Sequence, residues 1–312
     1  MNVRFWGVRG SLPAPLSPQQ VQAKISAAVQ RIQPKDIASD SARERFLASL
    51  PEWLYGTIGG NTPCVEVTSA RKTKLVFDAG TGIRAMGKLG ERPDDRHYHL
   101  FLSHFHWDHV QGLPFFSPAY HPKTVLDIYS PFDHIKEHLE RQMQEPYYPV
   151  CMDSFTKNIR FNTIEPSKPV QIGDVTVTAM KMSHPGDSYA FSVEEHGRKV
   201  IYATDVELRP CDFDRTDERV AFFEGADVLI HDAQYTVEEA CEKEGWGHSP
   251  FCYAIDFAAA WNIKELYLFH HDPAYDDRKV NAILQSARWY ASYITHDAVS
   301  VQLAVEGQEF NV

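Results

Sequence analysis

The pattern of apolar and polar positions predicts a chain of short strands interspersed with helices. Brief apolar runs bounded by Gly, Pro or Asp predict strands, several of which end in a polar turn. The predicted strands cover residues 3–7, 64–68, 74–77, 99–102, 125–129, 175–180, 189–193, 199–204, 227–234, 266–269, 299–305 and 309–312. Apolar residues at helical spacing predict helices over 132–143, 251–261 and 277–293. This mixture is typical of an α/β fold.

The segment 14–56 has a different character from the rest. Ser17 precedes Pro18, a pair typical of a helix N-terminus, and apolar residues follow at helical spacing at Val21, Ile25, Ala28, Val29 and Ile32. A second short helix is predicted over 41–50, ending before Pro51.

Composition and charge narrow the class of protein. The 312 residues are 43% hydrophobic and 23% charged, an ordinary globular balance, and no apolar run approaches the roughly 20 residues that cross a bilayer. The N-terminus lacks the apolar core of a secretion signal, so we expect a cytoplasmic protein without a membrane partner. A net charge of −11 disfavours long nucleic acids as partners. The five scattered cysteines form no C-x-x-C pair and are expected to be reduced and not metal ligands.

The candidate chemistry is concentrated in the stretch SHFHWDHVQG, residues 103–112. His104, His106, Asp108 and His109 follow directly after a predicted buried strand. Neutral imidazoles and carboxylates suit Zn²⁺ and similar divalent ions, and four such groups so close together more naturally serve two ions than one. The alternative is a polar surface loop, which this dense spacing after an apolar strand disfavours.

This stretch resembles the signature loop of the metallo-β-lactamase superfamily. The resemblance implies a four-layer αββα sandwich, here a single domain over 1–312, with a one- or two-metal site at one sheet edge. Related chains often pass from the turn near Pro13 to the Gly59-Gly-Asn-Thr segment in fewer residues. We therefore interpret 14–56 as a helical insertion that is either a lid, a contact in a homodimer, or surface elaboration.

The resemblance also implies a ligand set in a fixed order along the chain. One ion would take His104, His106 and His184, and the other would take Asp108, His109 and His270, with Asp205 bridging the two. His271 competes with His270 because the histidine is doubled. Asp78 would orient a ligand histidine; the alternative for Asp78 is a turn residue. Zn²⁺ is the expected metal, and Mn²⁺ or Fe would also suit these ligands.

The C-terminal half resembles the branch that contains ribonuclease Z and the cyclic-phosphate phosphodiesterases. That branch implies Asp108, Asp232 and His248 as catalytic residues, with His248 in a G-H-S setting as general acid; the alternative is a structural Asp232–His248 hydrogen bond. The expected reaction is attack of metal-activated hydroxide on a small cyclic nucleotide or cyclic phosphate. The alternatives are a ribonuclease Z-like RNA nuclease, a thioester or lactone hydrolase, a di-iron oxidoreductase and a non-catalytic metal-binding sensor.

Two residues near the N-terminus are open to more than one interpretation. Arg9 and Ser11, in the turn WGVRGSLP, could approach the site. A surface ion pair is an equal expectation for Arg9, and a turn or capping role is an equal expectation for Ser11.

Overall fold

Two seven-stranded sheets packed face to face form the framework of the protein. The structure, a computed structural model, describes residues 1–296 and 298–312. The strands are β1 Asn2–Gly7, β2 Cys64–Thr68, β3 Lys74–Phe77, β4 His97–Phe101, β5 Val125–Ser130, β6 Ile159–Thr163, β7 Val170–Ile172, β8 Val175–Met182, β9 Ser188–Glu195, β10 Arg198–Ala203, β11 Val228–Asp232, β12 Glu265–Phe269, β13 Ser300–Leu303 and β14 Glu309–Asn311. Their order is β14-β1-β2-β3-β4-β5-β6 in one sheet and β13-β12-β11-β10-β9-β8-β7 in the other.

Helices pack on the outer faces of both sheets. The helices are α1 Pro18–Val29, α2 Asp40–Ser49, α3 Glu52–Tyr55, α4 Gly82–Leu89, α5 Trp107–Val110, α6 Ile135–Gln142, α7 Asp217–Phe223, α8 Val237–Glu242, α9 Phe251–Ala260 and α10 Asp277–Thr295. Helices α4 and α6 share an apolar cluster with the outer face of the first sheet, whereas α9 and α10 cover the second. The predicted αββα sandwich is thereby confirmed. Within the described residues, no helix is both long and apolar enough to cross a membrane.

The strand directions bring one set of strand ends together. Strands β3 to β6 run parallel, as do β10 to β13, and β8 has the direction of β10 because both are antiparallel to β9. Aromatic rings fill the space between the sheets below this edge: Phe77 lies 5.3 Å from Phe101 and 5.7 Å from Tyr202, between ring centroids. The polar residues that follow these strands therefore meet above a rigid apolar core.

The segment 14–56 is helical, as predicted. Helix α1 begins at the Ser17 cap, whose side chain accepts a hydrogen bond from the backbone of Gln20, while the Gln20 side chain accepts one from the backbone of Ser17. None of the residues of α1 is buried, and Val21, Ile25 and Val29 are exposed. The apolar residues whose spacing predicted α1 therefore do not form a side of the helix that packs against the core.

Candidate metal centre

The predicted site residues come from the carboxyl ends of strands on both sheets. Asp78 follows β3, His104 to His109 follow β4, His184 follows β8, Asp205 follows β10, and His270 follows β12. Asp78, Asp205 and His270 have positive φ values of 61°, 51° and 61°. Non-glycine residues seldom adopt this conformation, and such backbone strain is concentrated at functional sites. The sheets therefore turn these side chains out of the strand direction and toward a common point.

One group of ligand-type side chains contains His104, His106, His184 and Asp205. One ligand-type atom from each lies within 4.8 Å of the others. Nε2 of His184 is 3.2 Å from Nδ1 of His106. Oδ2 of Asp205 is 3.6 Å from Nε2 of His104 and 3.8 Å from Nε2 of His184. Three imidazole nitrogens and one carboxylate oxygen are a ligand set that could hold a divalent ion.

A second group contains Asp108, His109, Asp205 and His270, all of them buried. Nε2 of His109 lies 3.2 Å from Oδ2 of Asp108 and 3.0 Å from Oδ1 of Asp205. Nε2 of His270 lies 3.2 Å from Oδ2 of Asp108 and 3.1 Å from Oδ1 of Asp205. This group could hold a second ion. The two oxygens of Asp205 face different groups, so this carboxylate lies between the two candidate positions.

His109 is held in one orientation by Asp78. Oδ2 of Asp78 accepts a hydrogen bond of 2.8 Å from Nδ1 of His109, and the same carboxylate accepts bonds from Ser103 and from the hydroxyl of Tyr202. A histidine protonated at Nδ1 presents the lone pair of Nε2 to its other neighbours. Of the two interpretations of Asp78, the one in which it orients a histidine agrees with the geometry.

His184 and His270, which lie far along the chain from the 103–112 stretch, are likewise oriented through Nδ1. The sequence did not reveal the groups that orient them. Nδ1 of His270 lies 2.9 Å from Oε1 of Gln234, and Nδ1 of His184 lies 2.8 Å from the carbonyl oxygen of Gly247. Gly247 has φ 92°, and a Cβ there would lie 2.2 Å from Nδ1 of His184, so only glycine fits. Gln234, two residues beyond Asp232 at the end of β11, could have been suspected from that position.

The chemistry of the cluster fits cations. Nε2 of His104 and Nε2 of His109 are buried without a hydrogen-bond partner, which is costly unless another group engages them. Burial lowers the pKa of His104 well below its usual range, so its imidazole is neutral, the form that binds metals. Burial also opposes a charge on His109, but Asp108, Asp205 and Asp78 together raise its pKa well above the usual range. The carboxylates thus call for positive charge at this point, which the divalent ions of this fold family would supply.

His248 and Asp232 form a separate pair at the edge of the cluster. Nδ1 of His248 lies 2.6 Å from Oδ2 of Asp232, and the His248 ring stacks on that of His270 with centroids 5.0 Å apart. Burial opposes protonation of His248, yet the Asp232 carboxylate leads the charges that raise its pKa to about 9. A cavity of about 490 Å³ opens onto the centre, lined by Ser11, Phe105, His106, Trp107, Asp108, Asp205 and His248. His248 thus contacts both a buried carboxylate and the space a substrate could enter.

The structure distinguishes the alternatives that the sequence left open for three residues. The surface ion pair expected for Arg9 is wrong, because Arg9 is 2% exposed and its guanidinium bonds to the carbonyls of Gly59, Asp272 and Tyr275. Ser11 does approach the site, through its backbone N–H, which donates to Oδ2 of Asp108 at 2.8 Å. His271 turns away and lies 3.0 Å from the carbonyl oxygen of Ala304, so His270 is the one that faces the cluster.

A further His/Asp cluster lies at the other end of the sheet. His97, His99 and Asp127 project from neighbouring positions of β4 and β5. Nε2 of His97 is 2.7 Å from Oδ2 of Asp127, and Arg160 of β6 donates two hydrogen bonds to the same carboxylate. Because the guanidinium already neutralises Asp127, this cluster is an ion-paired network and not a second candidate centre.

The chain is similar in sequence to several known proteins. Residues 73–271 match the family model described as a beta-lactamase superfamily domain. The chain is 24% identical over 284 residues to a ribonuclease Z of Thermoplasma acidophilum, covering 74% of this chain and 87% of that one. It is also 24% identical over 224 residues to the probable metallo-hydrolase YhfI of Bacillus subtilis, covering 70% of this chain and 85% of YhfI.

Solved structures show the same fold. The crystal structure of YhfI from Bacillus subtilis superposes with a TM-score of 0.65 at 18% identity, covering 99% of this chain and 98% of that one. A diphosphatase of the PhnP family superposes with a TM-score of 0.62 at 15% identity, covering 99% and 96% of the two chains. The homologues are metal-dependent hydrolases, as the sequence predicted. Fold, clustered ligand-type residues and sequence similarity together identify the chain as a member of the beta-lactamase superfamily.

Proposed function

We propose that the chain is a two-metal phosphodiesterase that hydrolyses a small cyclic nucleotide or another cyclic phosphate. The observation that carries the proposal is the position of Asp205. Its Oδ1 lies 3.0 Å from His109, and its Oδ2 lies 3.6 Å from His104, so one carboxylate can serve two ions at once. A carboxylate shared between two ligand groups can keep two ions within a few ångströms of each other, the separation that two-metal hydrolysis uses.

Each ion has a defined set of protein ligands in this proposal. His104, His106 and His184 would hold one, Asp108, His109 and His270 would hold the other, and Asp205 would serve both. Zn²⁺ is the proposed metal because five of the seven ligand-type residues are histidines, and Mn²⁺ or Fe would also be accepted. When bound, the two ions activate water and neutralise the charge that gathers on the phosphorus.

The protein's own contribution to the reaction is proton transfer. His248 lines the cavity and hydrogen-bonds to Asp232 at 2.6 Å through Nδ1, which leaves Nε2 to face a substrate. We assign to His248 the donation of a proton from Nε2 to the departing oxygen, while Asp232 holds the ring and its charge. Without this donor, the oxygen would depart from phosphorus as an alkoxide, which is a poor leaving group.

Two features favour a small substrate over a long RNA. The net charge of −11 repels a polyanion, and none of the described residues that line the cavity is Lys or Arg. A diester with a single negative charge needs no further cation beside two metal ions. The ribonuclease Z relatives support the alternative of an RNA nuclease, and the PhnP-family diphosphatase supports a small phosphate substrate.

The proposal is tested by hydrolysis of bis(p-nitrophenyl) phosphate with protein loaded separately with zinc, manganese or iron, beside the Asp205→Ala variant. We expect turnover that the substitution abolishes and a metal content that falls from two ions to one or none. A screen of 2′,3′- and 3′,5′-cyclic nucleotides and of a tRNA precursor then identifies the substrate class. No phosphodiester turnover with any of the metals would contradict the proposal, and thioesters and lactones would be tested next.

A further inference from the structure

We propose that the indole of Trp107 is the surface on which the nucleobase of the substrate stacks. The inference rests on the phosphodiesterase proposal and narrows its substrate class to nucleotides. Trp107 lies between His106 and Asp108, one residue from a proposed ligand of each ion, and it lines the cavity above the centre.

Trp107 combines high exposure with a position in the lining of the cavity. Its side chain is 80% exposed, more than that of any other tryptophan in the chain. Tryptophan is highly buried on average in folded proteins, so a largely exposed indole beside a cavity suggests a ligand surface. Few protein atoms cover the apolar ring in this position, so it contributes little to the stability of the fold.

The backbone that carries this indole is fixed. Trp107 begins helix α5, in which Asp108, His109 and Val110 are buried, and its carbonyl oxygen accepts a 2.7 Å hydrogen bond from the backbone N–H of Gln111. The ring therefore projects from an anchored turn and is free to meet a ligand without rearrangement of the main chain. Such preorganisation lowers the entropy lost on binding.

The chemistry around Trp107 suits a flat, neutral group attached to a phosphate. Phe105 provides a second aromatic side chain in the lining, and the polar members of the lining surround the proposed ion positions. A nucleobase that stacks on the indole would leave the phosphate directed at those positions. Stacking on an aromatic side chain changes nucleotide affinity by roughly tenfold to a hundredfold and tolerates any base, because every base has a π face.

An adjoining cavity provides the competing location for the base. It has a volume of about 420 Å³, shares His248 with the first, and is lined by Arg209, Lys243 and Tyr253 among others. Tyr253 is 46% exposed and is the aromatic residue of this cavity. Substitution of Trp107 and of Tyr253 therefore separates the two locations.

The test compares a 2′,3′-cyclic nucleotide with glycerol 1,2-cyclic phosphate, which has no aromatic group. In Trp107→Ala we expect the ratio of kcat/KM for the nucleotide to that for the glycerol ester to fall about tenfold or more, mainly through KM. Trp107→Phe should lose less because a smaller ring still stacks. Trp289→Ala, which removes a 70% exposed tryptophan outside the cavity, is the matched control and should keep the wild-type ratio.

A binding measurement tests the inference independently of turnover. Addition of a nucleoside 2′-monophosphate to the metal-loaded protein should quench tryptophan fluorescence, whereas inorganic phosphate should not. The quench should disappear in Trp107→Phe and persist in Trp289→Phe. Absence of a quench in the wild type, or its survival in Trp107→Phe, would overturn the inference.

The outcomes separate the two proposals. If no phosphodiester is hydrolysed, the proposed function fails, and the fluorescence titration still decides whether Trp107 binds a base. If nucleotides are hydrolysed but Trp107→Ala keeps the wild-type ratio, only the stacking inference fails. A fall in that ratio in Tyr253→Ala instead would place the base in the adjoining cavity.

Discussion

Nζ of Lys24 lies 2.5 Å from Oδ2 of Asp277, so the segment 14–56 is tied to the first turn of α10. Asp277 is 1% exposed and also pairs with Arg9, which holds the carbonyls of Asp272 and Tyr275 just beyond His270. The helical segment is thereby connected through two ion pairs to the loop that carries a proposed ligand. None of the three roles considered for the segment, as lid, dimer contact or surface elaboration, included this connection.

Substitution of Lys24 should reveal the strength of this connection. Lys24→Met removes the ammonium and leaves the buried Asp277 paired with Arg9 alone, so we expect the free energy of unfolding to fall by about 2–3 kcal/mol. Urea unfolding measures the change. Lys35→Met, which alters an exposed lysine of the same segment, is the control and should change it by less than about 0.5 kcal/mol. Equal stabilities of the two variants would show that the ion pair contributes nothing.

Asp78→Asn should weaken metal binding without disturbing the backbone. Asparagine tolerates the positive φ at this position, but its NH₂ group cannot accept all the hydrogen bonds that His109, Ser103 and Tyr202 donate. With His109 less firmly oriented, affinity for the ion bound by Asp108 and His270 should fall about 10- to 100-fold. Competition with a chromophoric chelator measures the affinity, and circular dichroism checks the fold. An unchanged affinity would mean that Asp78 serves the fold alone.

His248→Ala should impair turnover according to the leaving group. If His248 donates the proton, kcat should fall about 10²- to 10⁴-fold for a cyclic nucleotide, which releases an alkoxide. The loss should be much smaller for bis(p-nitrophenyl) phosphate, because p-nitrophenolate leaves without protonation. Asp232→Asn should show the same pattern more weakly, and both variants should retain two metal ions.

Two results would contradict that role. Equal losses for both substrates would make His248 a positioning residue and not a proton donor. Loss of bound metal in His248→Ala would show that His248 is a metal ligand. This alternative has a structural basis, because ligand-type atoms of Asp205, Asp232, His248 and His270 lie within 4.8 Å of one another.

The ion-paired network of His97, His99 and Asp127 should make the free energy of unfolding depend on pH. Burial, aided by His97, lowers the pKa of His99 to about 4 from an ordinary value near 6.5. Because the unfolded chain binds a proton more readily than the folded chain, His99 costs stability as pH falls from about 6.5 to 4. His99→Gln removes this dependence, so relative to wild type its free energy of unfolding should rise by roughly 2–3 kcal/mol across that window.

Denaturant unfolding of both proteins at pH 7, 5.5 and 4.5, in excess chelator so that metal release does not contribute, measures this difference. A constant difference between them at all three pH values would contradict the assignment.

Some helices, or their boundaries, could not be predicted from the sequence. Helix α4 was not predicted, since Gly82 and Gly87 have low helix propensity. A Cβ at Gly82 would lie 2.6 Å from the backbone of Trp6, and one at Gly87 would lie 2.9 Å from Pro118, so close packing explains both glycines. The helix predicted to start at residue 132 begins at Ile135, because His134 has φ 57° and interrupts it.

The sequence by itself determined most strands of the sandwich and the order of the polar residues that follow them. It could do so because period-two and helical apolar patterns, and a dense H-x-H-x-D-H stretch, are local signals. Only the tertiary structure decided that His270 and not His271 faces the cluster, that Arg9 is buried, and that Gln234 and Gly247 orient two histidines. Those outcomes depend on groups far apart in sequence, whose approach is set by the packing of the two sheets and leaves no pattern along the chain.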